Sequence, residues 1–239
     1  DEPKTTKDQI MEFTESLDQK YDCIPTPYER LDYLMGGGLP LKDITVLAAR
    51  PSVGKTAMMI NLISKSLSSC VIFSQEMSYS QIAIRLFSYL YEIDSYAIKM
   101  RNHVAIGRVM THLAILNDII IDDSSSLSAS EIRIRLKAIM RQKPIRIVAI
   151  DYLGLMKHEI GDTKADKVGR TMHELKQIAK DMNVCILLLC KLNRLFSQRS
   201  NPKPVLSDLR ESGVIEQYAA VVLIIYPEED AHGTISTNA

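Results

Sequence analysis

The chain has 239 residues, 46% hydrophobic and 24% charged, with 29 basic and 29 acidic side chains. This suits one large domain with a sizeable core and room for an appendage. No apolar run approaches the ~20 residues of a membrane span, no signal peptide is visible, and a formal net charge of zero leaves any nucleic-acid argument to local clusters.

The first residue is Asp1 rather than Met, which reads as a fragment or a processed chain. Cys23, Cys70, Cys185 and Cys190 lack Cys-x-x-Cys spacing. They read as reduced residues of a cytoplasmic protein, not as metal ligands or disulfides. The five histidines form no zinc-like pair.

Residues 1–20 are polar, with Ile10, Phe13 and Leu17 on one helical face. They read as a short amphipathic helix outside the core, either a fraying terminus or a linker that docks on a neighbouring subunit. The expected division is a linker region over 1–23 and a main domain over 24–239. Cys23-Ile24-Pro25-Thr26-Pro27 is a stiff extended connection. A short helix follows over Tyr28 to Met35, ended by Gly36-Gly37-Gly38.

The first core strand is expected at Ile44–Ala48, running into Ala49-Arg50-Pro51-Ser52-Val53-Gly54-Lys55-Thr56. A helical pattern, Ala57 to Leu67, leads out. Strand, small-residue loop, Gly-Lys-Thr and helix together form the context of a phosphate-binding loop. Loop N–H groups in front of a helix N-terminus make a concave anion site. Lys55 would reach the β- and γ-phosphates, and the Thr56 hydroxyl would bind Mg²⁺. The usual pattern opens with glycine where this chain has Ala49, which alanine tolerates if its φ stays negative.

Further strands are expected at Cys70–Phe73, Ile119–Ile121, Ile145–Ile150, Val184–Leu189 and Ala219–Tyr226. Between them lie helical patterns over Ser78–Tyr91, 94–117, Ser128–Gln142 and 165–182, while residues 154–164 and Leu192–Pro204 read as loops. The strands are nearly continuous apolar runs. That indicates an α/β fold with a mostly parallel sheet and helices on both faces.

Ligands of such sheets bind outside the carboxyl ends of the strands. Glu76 follows the second strand, Asp151 the fourth and Lys191 the fifth. Asp151 has the form of a Walker B aspartate that holds Mg²⁺. Glu76 is a candidate general base that polarises the attacking water. Lys191 is a charge able to sense a γ-phosphate. Asp122 and Asp123 read as turn residues before Ser124.

These segments resemble a known family. Ala49–Thr56, Phe73-Ser74-Gln75-Glu76-Met77-Ser78, Ile150-Asp151-Tyr152-Leu153, Leu192-Asn193-Arg194, and Ser207-Asp208-Leu209-Arg210-Glu211-Ser212-Gly213 with Ile215-Glu216-Gln217 are similar to the C-terminal motor domain of DnaB-type replicative DNA helicases. The resemblance implies a RecA-like P-loop NTPase fold, ATP and Mg²⁺ as cofactors, and a homohexameric ring with ATP sites between subunits. It also implies translocation on single-stranded DNA, with primase and a helicase loader as partners. It makes Glu76 the catalytic base and turns Arg194, Arg210, Glu211 and Gly213 towards DNA.

From Lys191 to Arg210 five basic residues face Asp208 alone. In a ring this stretch would line a channel and contact phosphates without reading sequence; on charge alone it is a solvated loop. A second basic run, Arg133 to Arg146, reads as a solvated face or a subunit contact. The family pattern is broken at Cys190-Lys191, where Ser-Gln is usual, at Tyr218-Ala219-Ala220, where Asp-Ala-Asp is usual, and at Gly154, where Gln is usual. The family's later arginine hairpin and its primase-interacting N-terminal domain have no counterpart in the 239 residues. Two functions therefore stay open: a replicative helicase motor, with slow turnover as given, and an ATP-binding assembly or regulatory module that does not unwind. A recombination or clock ATPase that shares only the fold is disfavoured by Ser207–Gly213.

Overall fold

The structure is a computed structural model that describes residues 5–7, 10–11, 22–64, 66, 68–104, 106–107, 119–157, 163–193, 203–209 and 212–227. Its strands are β1 (Cys23–Ile24), β2 (Leu39–Pro40), β3 (Ile44–Ala49), β4 (Cys70–Ser74), β5 (Ile119–Asp122), β6 (Ile147–Asp151), β7 (Cys185–Lys191) and β8 (Val221–Ile225). The helices are α1 (Glu29–Leu34), α2 (Lys55–Ser64), α3 (Tyr79–Tyr91), α4 (Ser95–Lys99), α5 (Ala129–Met140), α6 (Lys164–Met182) and α7 (Ser212–Tyr218). Most of the segment expected to form an N-terminal helix lies outside the described residues.

Strands β3 to β8 form one six-stranded sheet in the order β5-β4-β6-β7-β3-β8. Every neighbouring pair is parallel. β3, β4 and β6 are buried along their whole length, while the edge strands β5 and β8 are only partly covered. Alternate side chains point to opposite faces of a strand, and the core divides accordingly. Val46, Val71, Phe73, Val148, Ile150 and Leu188 pack with α5 and α6 on one face. Leu47, Ile72, Ile147, Ala149 and Leu187 pack with α2 and α3 on the other. The mostly parallel sheet with helices on both faces is thus present.

Helix ends follow local chemistry. Ser128 and Glu131 form a capping box at the start of α5, and Thr163 and Asp166 form one at the start of α6. α6 buries Val168, Met172, Leu175 and Ile178, one stripe of a helix. It stops at Asn183, which takes a left-handed φ of 53°. Asp122 accepts a hydrogen bond from the Ser124 N–H at 3.0 Å, the turn expected there. Asp123 instead accepts from the Tyr79 N–H at 2.8 Å, at the first residue of α3.

The stiff connection and the glycine turn conceal a small antiparallel sheet of β1 and β2. Gly38, at φ +133°, lies so close to Ile24 that a Cβ would sit 2.2 Å from its carbonyl oxygen. A short 3-10 turn, Leu153–Leu155, overlaps the expected loop. Three members of the basic run from Arg133 are matched within the chain: Arg133 pairs with Asp181 at 2.7 Å, Arg135 with Asp122 at 2.6 Å and Arg146 with Asp22 at 3.2 Å.

Chain connections bring the site together. The chain leaves β3, passes over the places of β7 and β6, and enters the sheet as β4. The strands β4, β6, β7 and β3 therefore lie side by side, about 4.8 Å apart, with their carboxyl ends on one edge.

Candidate nucleotide site

The loop after β3 begins at a residue the sheet already fixes. Ala49 is the last residue of β3, fully buried, opposite Lys191 on one side and Ile225 on the other. It is an ordinary strand residue, so a methyl group replaces glycine there without backbone strain. The turn is made later in the loop, where Ser52 has φ 67° and Gly54 has φ 105°. A Cβ on Gly54 would meet nothing within 4 Å, so glycine serves the backbone there, not the packing. The Met58 N–H donates to the Gly54 carbonyl at 2.8 Å, which joins the loop to the first turn of α2.

Lys55 and Thr56 open α2 and both meet Asp151 at the end of β6. The Thr56 hydroxyl donates to Asp151 Oδ2 at 3.1 Å. Lys55 Nζ lies 3.4 Å from Asp151 Oδ1, with the two side chains 10% and 1% exposed. Neither Lys55 Nζ nor Asp151 Oδ1 completes a hydrogen bond among the described residues. The two charges face each other, and both atoms keep hydrogen-bonding capacity that is rarely left unused in a protein interior.

Glu76 hangs from the turn after β4. The Ser74 hydroxyl donates to the Met77 carbonyl at 2.7 Å and accepts from the Met77 N–H at 3.3 Å. The Gln75 N–H donates to the Asp151 carbonyl at 2.7 Å, tying this turn to the end of β6. Lys191 reaches across from β7, with Nζ 3.1 Å from Glu76 Oε1. The same ammonium lies 3.8 Å from the centroid of the Tyr152 ring, and Lys55 Nζ lies 4.8 Å from it. The Asp151–Tyr152 peptide is cis. Burial pulls the Lys191 ammonium down, but its hydrogen bonds to Glu76 and Tyr152 and the nearby negative charge outweigh that, so its pKa lies above the ordinary lysine value.

Ala49–Thr56 apart from Val53, together with Glu76 and Lys191, line one cleft of about 540 Å³. The expected phosphate loop, base and sensing lysine thus share one space, and Asp151 is joined to it through Thr56 and Lys55. Gln81 and Arg85 of α3 and Met77 also line it. Gln81 and Arg85 are not evident from the sequence because they sit on a helix face whose orientation only packing settles. The place of Tyr152 between the two ammonium groups has no signature along a chain, because a cation–π contact follows no spacing.

Arg194, Arg210 and Glu211 lie outside the described residues. Gly213 is exposed on α7. Both ends of the basic stretch are anchored. Leu192 bridges to Leu209, the Asn193 N–H donates to the Asp208 carbonyl at 2.7 Å, and the Leu192 N–H donates to the Ala49 carbonyl at 3.2 Å.

The family model described as the DnaB-like helicase C terminal domain matches residues 23–238. The chain belongs to this family. It is 36% identical over 211 residues to the replicative DNA helicase DnaB of Rickettsia prowazekii (strain Madrid E), covering 80% of this chain and 43% of that protein. It is 35% identical over 220 residues to the same-named protein of Buchnera aphidicola subsp. Schizaphis graminum, covering 87% and 47%. The chain therefore spans less than half the length of these curated relatives. Among solved structures, the ATPase domain of G40P superposes with a TM-score of 0.86 at 27% identity, covering 99% of this chain and 89% of that one. A DnaB-like replicative helicase, described with its interactions with primase, superposes with a TM-score of 0.82 at 27% identity, covering 99% and 59%. The RecA-like P-loop fold expected from the resemblance is the fold of this DnaB-like domain. No described helix is long and apolar enough to cross a membrane.

Proposed function

We propose that residues 24–239 are the ATP-hydrolysing motor domain of a cytoplasmic replicative DNA helicase, with 1–23 as its linker region. The observation that carries this reading is that Lys55, Thr56 and Glu76 line one cleft while Asp151, from a third parallel strand end, bonds Thr56 and faces Lys55. The family and the two DnaB relatives support it. The loop Ala49–Thr56 binds the phosphates of ATP through its N–H groups, and Lys55 supplies the positive charge. Its buried Nζ faces Asp151 without a hydrogen bond and is a fitting donor for phosphate oxygens. Thr56 and Asp151 hold Mg²⁺; such an ion needs only one or two protein ligands beside phosphate oxygens. When bound, the ion neutralises charge on the transferring phosphoryl group. Glu76 accepts the proton of the attacking water.

On this reading six copies form a ring on single-stranded DNA, and Arg194, Arg210, Glu211 and Gly213 face the strand. Primase and a helicase loader are its partners. One observation favours the second reading, a nucleotide-binding assembly module: the Glu76 carboxylate is engaged by Lys191 at 3.1 Å.

The test is DNA-stimulated ATP hydrolysis by the chain, beside Lys55→Ala and Glu76→Ala, repeated on the full-length gene product. Lys55→Ala is expected to abolish nucleotide binding. Glu76→Ala is expected to keep binding and slow turnover by roughly 10²–10⁴-fold. Turnover unchanged by both substitutions overturns the mechanism. Binding without DNA-stimulated hydrolysis in the full-length protein selects the assembly module.

A further inference from the structure

We propose that Lys191 is a latch on Glu76, drawn off it by the terminal phosphate of a nucleoside triphosphate. This rests on the reading of the cleft as an ATP site. The two lysines there have different partners. Lys55 is buried against Asp151 at 3.4 Å. Lys191 pairs with Glu76 at 3.1 Å, with the two side chains 23% and 43% exposed. In the sheet, Lys191 stands in register with Ala49, the first residue of the phosphate loop. Its ammonium thus has two anions in reach of one cleft, the Glu76 carboxylate and the outer end of a bound triphosphate.

The consequence for chemistry is direct. The Lys191 ammonium sits on Glu76 Oε1 at 3.1 Å, where it competes with the attacking water for the same carboxylate oxygen. A terminal phosphate, with more charge and three oxygens, outcompetes one carboxylate for a point charge. A diphosphate lacks that group and leaves the pair intact. A lysine suits this exchange because its ammonium sits on a flexible four-carbon stem. Tyr152, 3.8 Å from Lys191 Nζ, offers a π-face that holds the ammonium beside both anions. Lys191 is accordingly a positioning residue that ties the availability of the Glu76 carboxylate to the presence of a third phosphate.

The test is equilibrium binding of ADP and of the non-hydrolysable imido analogue of ATP, both with Mg²⁺. The proteins are the unsubstituted chain, Glu76→Gln, Lys191→Met and the double variant, each checked by circular dichroism. Glu76→Gln frees Lys191 and is expected to tighten analogue binding roughly three- to tenfold, with ADP binding unchanged. In the Lys191→Met background the same substitution is expected to have no effect. Lys191→Met alone is expected to weaken the analogue and not ADP. An equal effect of Glu76→Gln in both backgrounds overturns the latch and leaves the ATP site standing. Failure of the unsubstituted chain to bind either nucleotide overturns both.

Discussion

Neighbours fix the charge of a side chain at Asp122, the last residue of β5. Burial pushes its carboxyl up, but hydrogen bonds from the Ser124 side chain and N–H and the Arg135 guanidinium outweigh that and hold its pKa below the ordinary 3.8. A carboxyl lowered in the folded state adds stability above its unfolded pKa and loses it as pH falls through the folded value. Asp122→Asn is therefore expected to cost about 1 kcal/mol at neutral pH, discounted for the half-exposed Arg135. The gap in urea midpoint between the two proteins should stay constant down to about pH 5 and close below about pH 4. Glu76, Asp151 and Lys191 were legible in the sequence because a parallel sheet delivers whatever follows each strand to one edge. The pairing of Lys191 with Glu76 was not, because it joins residues 115 apart in the chain.

Elements were legible where periodicity and punctuation agree. α5 and α6 carry capping boxes that a reader can see as Ser-x-x-Glu and Thr-x-x-Asp. Ser128 is 6% exposed and its hydroxyl accepts from the Glu131 N–H at 3.2 Å. Ser128→Ala is expected to destabilise the domain by about 1 kcal/mol, read as a lower thermal midpoint with nucleotide affinity unchanged. β1 and β2 were hidden for the opposite reason. Two residues give no alternation, prolines and glycines surround them, and the pairing of Cys23 with Pro40 and of Ile24 with Leu39 makes them strands. β7 also runs further than its apolar stretch, because pairing with Ala49 carries Lys191 into the ladder.

At the scale of the molecule, the sheet is a rigid floor and the cleft lies at its rim. Ligand that binds only the folded chain stabilises it by mass action. Mg²⁺ with the imido analogue at 100 times its dissociation constant is expected to add about 2.7 kcal/mol. That corresponds to a rise of roughly 5–10 °C in thermal midpoint for a chain of this size. Lys55→Ala should erase the rise. A rise of the same size in that variant would mean that the analogue binds elsewhere.

The hydrogen bond from Leu192 to the Ala49 carbonyl, with the bridge from Leu192 to Leu209, has a mechanical outcome. The residue after Lys191 is clamped both to the root of the phosphate loop and to the far shore of the basic segment. A displacement of the loop root has one residue to cross before it reaches Leu209, and a displacement of Leu209 returns along the same short tether.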